Sequence, residues 1–193
     1  MSSWLQTVKE DIAAFCLVHP KSGLFKYFYY PDFRAVLLFR LTQLLYQQWL
    51  TRPLAYLITM LNDLITGVWI GPRVQAGPGL FLGHPRGLVV NPSTKIGKNC
   101  SIMQRVTLGG PNVTIGDNVE INAGAQIVSN ARREARLNIG DNVIIGAGAV
   151  VVKDVPSCSI VVGVPAKVVK TIDPSENWVE FRKKRNSGFS HDE

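Results

Sequence analysis

Two hydrophobic rhythms divide the chain. Up to residue 66, apolar residues recur at intervals of three and four, the spacing of one helix face. In FRAVLLFRLTQLLYQQWL, the residues Phe33, Val36, Leu37, Arg40, Leu41, Leu44, Leu45 and Trp49 form an apolar stripe with one cationic interruption. Pro31 and Asp32 mark its start. Pro53 ends it, because proline lacks an N–H and clashes with the preceding turn, and a second helix is expected from Leu54 to Ile65. The first 20 residues read as another helix, ending at His19-Pro20. The aromatics of LFKYFYYPDF read as packing residues.

From Ile70 the period becomes six. Aliphatics stand at Val90, Ile96, Ile102 and Leu108, then at Ile115, Ile121 and Ile127, then at Ile139, Ile145 and Val151. Four positions after many of them comes a small or β-branched residue, among them Val74, Thr94, Cys100, Val106, Val119, Ala125, Val143, Ala149 and Val155. This pattern predicts a solenoid of short strands and tight turns, each rung burying its apolar face against the next. A helix needs a 3.6 period, and a βαβ fold needs ten or more helical residues between strands. Neither occurs between 70 and 170.

Three places break the hexad rhythm, two by added residues and the third, from Ile127 to Ile139, by a missing middle aliphatic that reads as a protruding loop or one irregular rung. GLFLGHPRGLVVN holds the only histidine of the repeat region, His84. LGGPNVTIG adds one residue, and SNARREARLN is basic, with Arg132, Arg133 and Arg136 around Glu134. Interruptions of a solenoid become loops, and loops carry function. After Lys170, DPSENWVEFRKKRNSGF reads as a short helix, with Asp173 as N-cap, Pro174 next and Glu176 completing a capping box. The expected organisation is therefore α+β. It has a helical region over 1–66, a solenoid over 67–170, and a C-terminal helix and tail over 171–193.

Composition sharpens this picture. Of 17 glycines, 15 fall between Gly67 and Gly163, where turns are dense. Between 70 and 170 there are eleven basic and five acidic residues, most of the formal +7. Such an excess suits nucleic acid or an anionic small molecule. The cations are spread along the rungs and no nucleic-acid-binding motif is present, which favours the small molecule. Cys16, Cys100 and Cys158 are odd in number and widely spaced, which points to a reducing compartment rather than a disulfide framework. No apolar run reaches the roughly 18 residues of a spanning helix. The cytoplasm is the expected location. The helical part, with Arg34, Arg40 and Arg52 beside long apolar stretches, would also suit the inner membrane surface.

The segments FRAVLLFRL, GPGLFLGHPRGLVV, IMQRVTLGG, IGAGAVVVKDVP and VVGVPAKVV together resemble the hexapeptide-repeat acyltransferases, and within them the serine acetyltransferase-like group, from about Phe33 to Lys170. The resemblance implies a left-handed parallel β-helix and a homotrimer, sometimes paired into hexamers, with active sites between neighbouring prisms. It implies acetyl transfer from acetyl-CoA to a hydroxyl, with no metal. It implies His84 as the catalytic base, since an alcohol attacks well only as its proton is taken. For the cofactor it implies Gly109, Gly110, Gly146 and Ala147 along the pantetheine arm, and Lys153 and Lys167 near the CoA nucleotide.

Three features of that group are missing. The aspartate that orients the histidine, 15 residues before it, is replaced by Trp69. The aspartate immediately before it is replaced by Gly83, and the chain runs from LGGP to NVTIG without a second histidine. An amino-acid acceptor needs a carboxylate for its ammonium group. The expectation is therefore a sugar O-acetyltransferase of surface polysaccharide synthesis. The alternatives are serine O-acetyltransferase and a catalytically silent solenoid that serves as a binding module. A metal enzyme of the carbonic anhydrase kind is disfavoured, because the other histidines, His19 and His191, lie outside the repeat.

Overall fold

The computed structural model describes residues 3–19, 29–129 and 136–173. The expected C-terminal helix, and Arg132, Arg133 and Glu134 of the basic loop, lie outside the described residues. Arg136 is exposed.

Among the described residues, three α-helices and a 3-10 turn (Trp49–Thr51) precede the solenoid. Helix α1 (Trp4–Val18) starts on Ser3, whose Oγ accepts the Gln6 N–H at 3.2 Å. Helix α2 spans Pro31–Tyr46. Helix α3 (Arg52–Thr66) carries Pro53 in its own first turn and ends on Gly67, whose φ of 72° provides a left-handed cap.

The helices bury only part of the stripe that periodicity suggests. Helix α2 turns Asp32, Ala35, Val36, Phe39, Arg40 and Thr42 inward, while Leu37 and Leu44 are exposed. Helix α3 buries Ala55, Ile58, Thr59, Asn62 and Thr66, and leaves Leu54, Leu57, Met60 and Leu64 outside. Part of the reason lies in α2, whose inner face meets unpaired backbone groups of the solenoid's first coil. Arg40, expected at a membrane-facing surface, is instead 1% exposed. All five of its N–H donors are used. Nε and Nη2 donate to the Asp11 carboxylate at 2.7 and 3.1 Å, and Nη1 donates to Gln43 Oε1 at 2.8 Å. Nη1 and Nη2 also donate to the carbonyls of Ala76 and Gly77 at 2.7 and 2.6 Å. Removing one partner of such a buried pair costs about 3–5 kcal/mol, because the other charge stays buried alone. No helix among the described residues is long and apolar enough to cross a membrane.

From Val68 the chain winds as a three-faced parallel β-helix. The first face stacks the strands Val68–Ile70, Leu88–Val90, Thr107–Gly109, Gln126–Val128 and Val150–Val151. The second stacks Gln75–Ala76, Lys95–Ile96, Val113–Ile115 and Leu137–Ile139. The third stacks Phe81–Gly83, Ser101–Met103, Glu120–Ile121, Ile144–Ile145 and Ser159–Val162. The antiparallel strand Lys167–Thr171 pairs with Ser159–Val162 and covers the lower edge of the third face. The hexad residues face inward as expected: Leu82, Leu88, Val90, Ile102, Leu108, Ile121, Ile127 and Ile145 have no exposed surface. Ala35, Val36 and Phe39 of α2 join the same core. The corner between the second and third faces is held by side chains at positive φ. Asn99 donates to Asn118 at 3.2 Å, and Asn118 donates to Asn142 at 3.0 Å. Asparagine tolerates the left-handed region and can bond its copy one rung away.

Candidate active site

His84 begins the corner between the third and first faces, directly after the strand Phe81–Gly83. Its side chain is exposed, and its φ is 47°. A non-glycine residue in this region is uncommon and costs energy. The corner is held from behind. The His84 N–H donates to Asp32 Oδ1 at 3.1 Å, the Arg86 N–H returns to the His84 carbonyl at 2.7 Å, and Gly87 N–H reaches the Gly67 carbonyl at 2.7 Å.

Asp32 is 2% exposed. Burial raises its carboxyl pKa above the ordinary 3.8, and the nearby His84 and His19 pull it the other way. His19 Nε2 lies 3.7 Å from Asp32 Oδ2, and its ring stacks on Tyr30 at 4.6 Å and lies 4.7 Å from Phe15. An acid therefore does stand beside His84, but it comes from α2 and grips the backbone rather than the ring. Trp69, where the orienting aspartate was expected, points outward from the first face and is 39% exposed.

Beside His84 a cavity of about 430 Å³ is lined by His84, Arg86, Gln104, Arg105, Ala123 and Gly124. These residues descend one corner, rung by rung. The Arg105 N–H donates to the Arg86 carbonyl at 3.2 Å, Gly124 N–H to Gln104 at 2.9 Å, and Gly148 N–H to Ala123 at 2.9 Å. Gly146 and Ala147 continue the same corner one rung below Ala123 and Gly124. Ala147 is exposed, and its N–H has no partner among the described residues.

The remaining candidates lie elsewhere. Gly109 ends a strand of the first face, and Gly110 and Lys153 occupy the corner between the first and second faces. Lys167 opens the last strand at the lower end. Both lysines are exposed. One chain thus brings Gly146 and Ala147 to the His84 corner, but not Gly109, Gly110 or Lys153. The two adjacent glycines also differ. Gly110 has φ 79°, and a Cβ there would meet the Ser129 carbonyl oxygen at 2.5 Å, so the backbone itself requires glycine. At Gly109 a Cβ would meet only ordinary contacts at 3.6 Å. Its lack of a side chain instead keeps the outer surface flat. Among the described residues, no group of three or more His, Cys, Asp or Glu is placed to hold a metal.

In the sequence Asp32 and His19 read only as helix boundaries, and Asp11 gives no signal at all. The one available signal was a set of charged residues, Asp32 and Arg40, within a segment that otherwise reads as a buried helix face.

No family model matches the chain. It is 39% identical over 156 residues to the serine acetyltransferase of Synechococcus elongatus, which covers 77% of this chain and 61% of the relative. It is 38% identical over 124 residues to that of Staphylococcus xylosus, covering 61% and 55%. The chain thus spans a little over half the length of these two relatives. Among solved structures, it superposes on serine acetyltransferase from Brucella abortus with a TM-score of 0.78 and 33% identity, covering 88% of this chain and 69% of that one. The Neisseria gonorrhoeae serine acetyltransferase solved with serine gives 0.77 and 35%, covering 86% and 69%. The Brucella abortus enzyme solved with coenzyme A gives 0.77 and 32%, covering 88% and 68%. With 33% identity over more than two thirds of the Brucella abortus enzyme, and the hexads forming the same architecture, the chain belongs to the serine acetyltransferase family.

Proposed function

We propose that the chain is an acetyl-CoA-dependent O-acetyltransferase, with His84 as general base and the hydroxyl of L-serine as acceptor. The observation that carries this reading is the exposed His84 imidazole. It sits at a strained backbone position fixed by a buried carboxylate, at the mouth of a cavity, on a fold shared with serine acetyltransferases. The sugar acceptor expected first from the sequence gains no support from the comparisons. The relatives are named serine acetyltransferases, and one neighbour was solved with serine.

In this reading His84 takes the hydroxyl proton as the oxygen attacks the thioester carbonyl carbon. The charge that builds on the carbonyl oxygen needs donors, and the free Ala147 N–H is available on this corner. The imidazolium then returns its proton to the departing sulfur as the C–S bond breaks. Gly109 and the Gly146–Ala147 turn leave room for a pantetheine arm, while Lys153 and Lys167 supply cations for its phosphates. Gly110 serves the backbone first.

Gly109, Gly110 and Lys153 could serve the same cofactor as a His84 corner only across a contact between copies, and with the trimer that the family resemblance implies we infer a homotrimer. The apolar outer residues Leu57, Met60, Leu64 and Trp69 supply surface for such a contact. Light scattering should give three times 21.3 kDa. A monomer at working concentration would sink this inference.

Replacing His84 by alanine should lower kcat/KM for L-serine by about 10²–10⁴, the usual share of a general base. Thiol release from acetyl-CoA measures it, and an unchanged rate would remove His84 from the chemistry.

Asp32 acts as a positioning residue. Its raised carboxyl pKa means that protonation favours the folded chain. That contribution is complete below the ordinary 3.8 and is lost as pH rises through the raised value. Asp32→Asn keeps an oxygen for the His84 N–H and removes the buried charge. Thermal melts should therefore show the variant at least as stable as the parent at neutral pH, with any gain shrinking as pH falls toward 3.8. Its kcat should drop about tenfold, the scale of one charge-assisted hydrogen bond, with the KM for acetyl-CoA unchanged. A variant clearly less stable at pH 7, or equally active, contradicts the assignment.

A further inference from the structure

The cavity beside His84 is lined by two arginines that the general-base reading does not use. Arg86 and Arg105 both line it, stand on consecutive rungs, and are joined by the Arg105 N–H to the Arg86 carbonyl at 3.2 Å. Both are exposed, and neither side chain has a hydrogen-bond or ion-pair partner among the described residues. No acidic residue lines the cavity. Two like charges side by side repel, and among the described residues lining the cavity no carboxylate offsets them.

The backbone at Arg105 is a second, independent sign. Its φ is 57°. On the two rungs below, the matching position is filled by Gly124 (φ 71°) and Gly148 (φ 66°), residues that take this conformation without strain. Arginine there costs of order 1 kcal/mol that glycine would not. The strained position puts an arginine in the lining of the cavity that His84 also lines, and strain of this kind clusters at functional sites.

We propose that Arg86 and Arg105 form an anion clamp, which restricts the acceptor to a hydroxyl compound bearing a carboxylate or phosphate close to the reacting oxygen. The nucleotide end of acetyl-CoA is not the anion in question. With the thioester at His84, the whole pantetheine arm separates it from the phosphates. Guanidinium groups suit either anion, since both accept paired N–H bonds. The inference rests on the acetyltransferase reading, and it supplies a selection rule that the reading lacks. An acceptor is chosen by its negative charge, without the carboxylates that Trp69 and Gly83 replace.

The test compares L-serine with L-serinamide, its uncharged counterpart at the carboxyl end, in thiol release by the full chain. The parent should favour L-serine in kcat/KM by about tenfold or more, the scale of one charge-assisted hydrogen bond. Arg86→Gln and Arg105→Gln should each raise the KM for L-serine about tenfold and leave both the serinamide KM and the acetyl-CoA KM within twofold. Equal use of serine and serinamide by the parent, or an unchanged serine KM in both variants, overturns the clamp. A second readout does not depend on turnover. Inorganic phosphate should perturb the His84 ring resonances in NMR titrations, with about tenfold weaker binding in either variant. If serine is not acetylated at all but phosphate binds in this way, the clamp stands and the serine assignment falls. If phosphate leaves the ring untouched in the parent, the clamp falls, whatever the acceptor.

Discussion

A β-helix has two open ends, and each presents a row of backbone groups with no next rung to bond. Here the upper end is met by the polar inner faces of the helices. The Ala76 and Gly77 carbonyls go to Arg40 and the Val74 carbonyl goes to Gln43 Nε2 at 3.0 Å. The Leu80 N–H goes to Asp11 Oδ1 at 2.9 Å, and the His84 N–H goes to Asp32. The Arg40–Asp11 pair lies at the centre of this arrangement. It joins α1, α2 and the first coil, and it is buried because the edge it serves is buried. An unpaired edge would invite association with other strands or leave polar groups unsatisfied. At the lower end the edge of the third face is met differently, by the antiparallel strand Lys167–Thr171.

This capping links the fold to the chemistry. His84 lies on the uppermost turn of its corner, where the amide it offers has no rung above it. The carboxylate that satisfies that amide is Asp32, itself held in an apolar and aromatic setting with His19, Tyr30 and Phe15 nearby. The imidazole stays exposed while its backbone is fixed. Such an arrangement sets stability against function, since a buried carboxylate with a raised pKa is an unfavourable element to keep. The left-handed backbone at His84 and Arg105 adds to that cost on the two sides of the same cavity.

The parts of this molecule that were legible in the sequence are those governed by side-chain periodicity. An aliphatic every six residues is a direct consequence of three-faced winding, and Leu82, Ile102, Ile121 and Ile145 are buried where the count puts them. His84 stood out as the one histidine in a break of that count, and the losses at Trp69 and Gly83 were visible against the family pattern. The helix faces were not legible. Arg40 seemed an interruption of an apolar stripe because its partners are mostly backbone carbonyls and a carboxylate 29 residues away. Asp32 seemed a helix start because its partner is an amide 52 residues on. Pairings between a side chain and a distant backbone edge leave no period to count. Nor did periodicity show that the leucines of α3 face outward, since it reports a stripe without saying which side is covered.

The central claim is that the helices hold the His84 corner through its edge amides, and native-state hydrogen exchange tests it most directly. The amides of Leu80 and His84 donate to side chains on α1 and α2, whereas that of Ser101 donates to the Val119 carbonyl within the solenoid. As denaturant is raised below the unfolding transition, Leu80 and His84 should lose protection together with the amides of α2, before Ser101 does. If Leu80 and His84 remain as protected as Ser101 after the α2 amides have exchanged, the corner holds itself and the account is wrong.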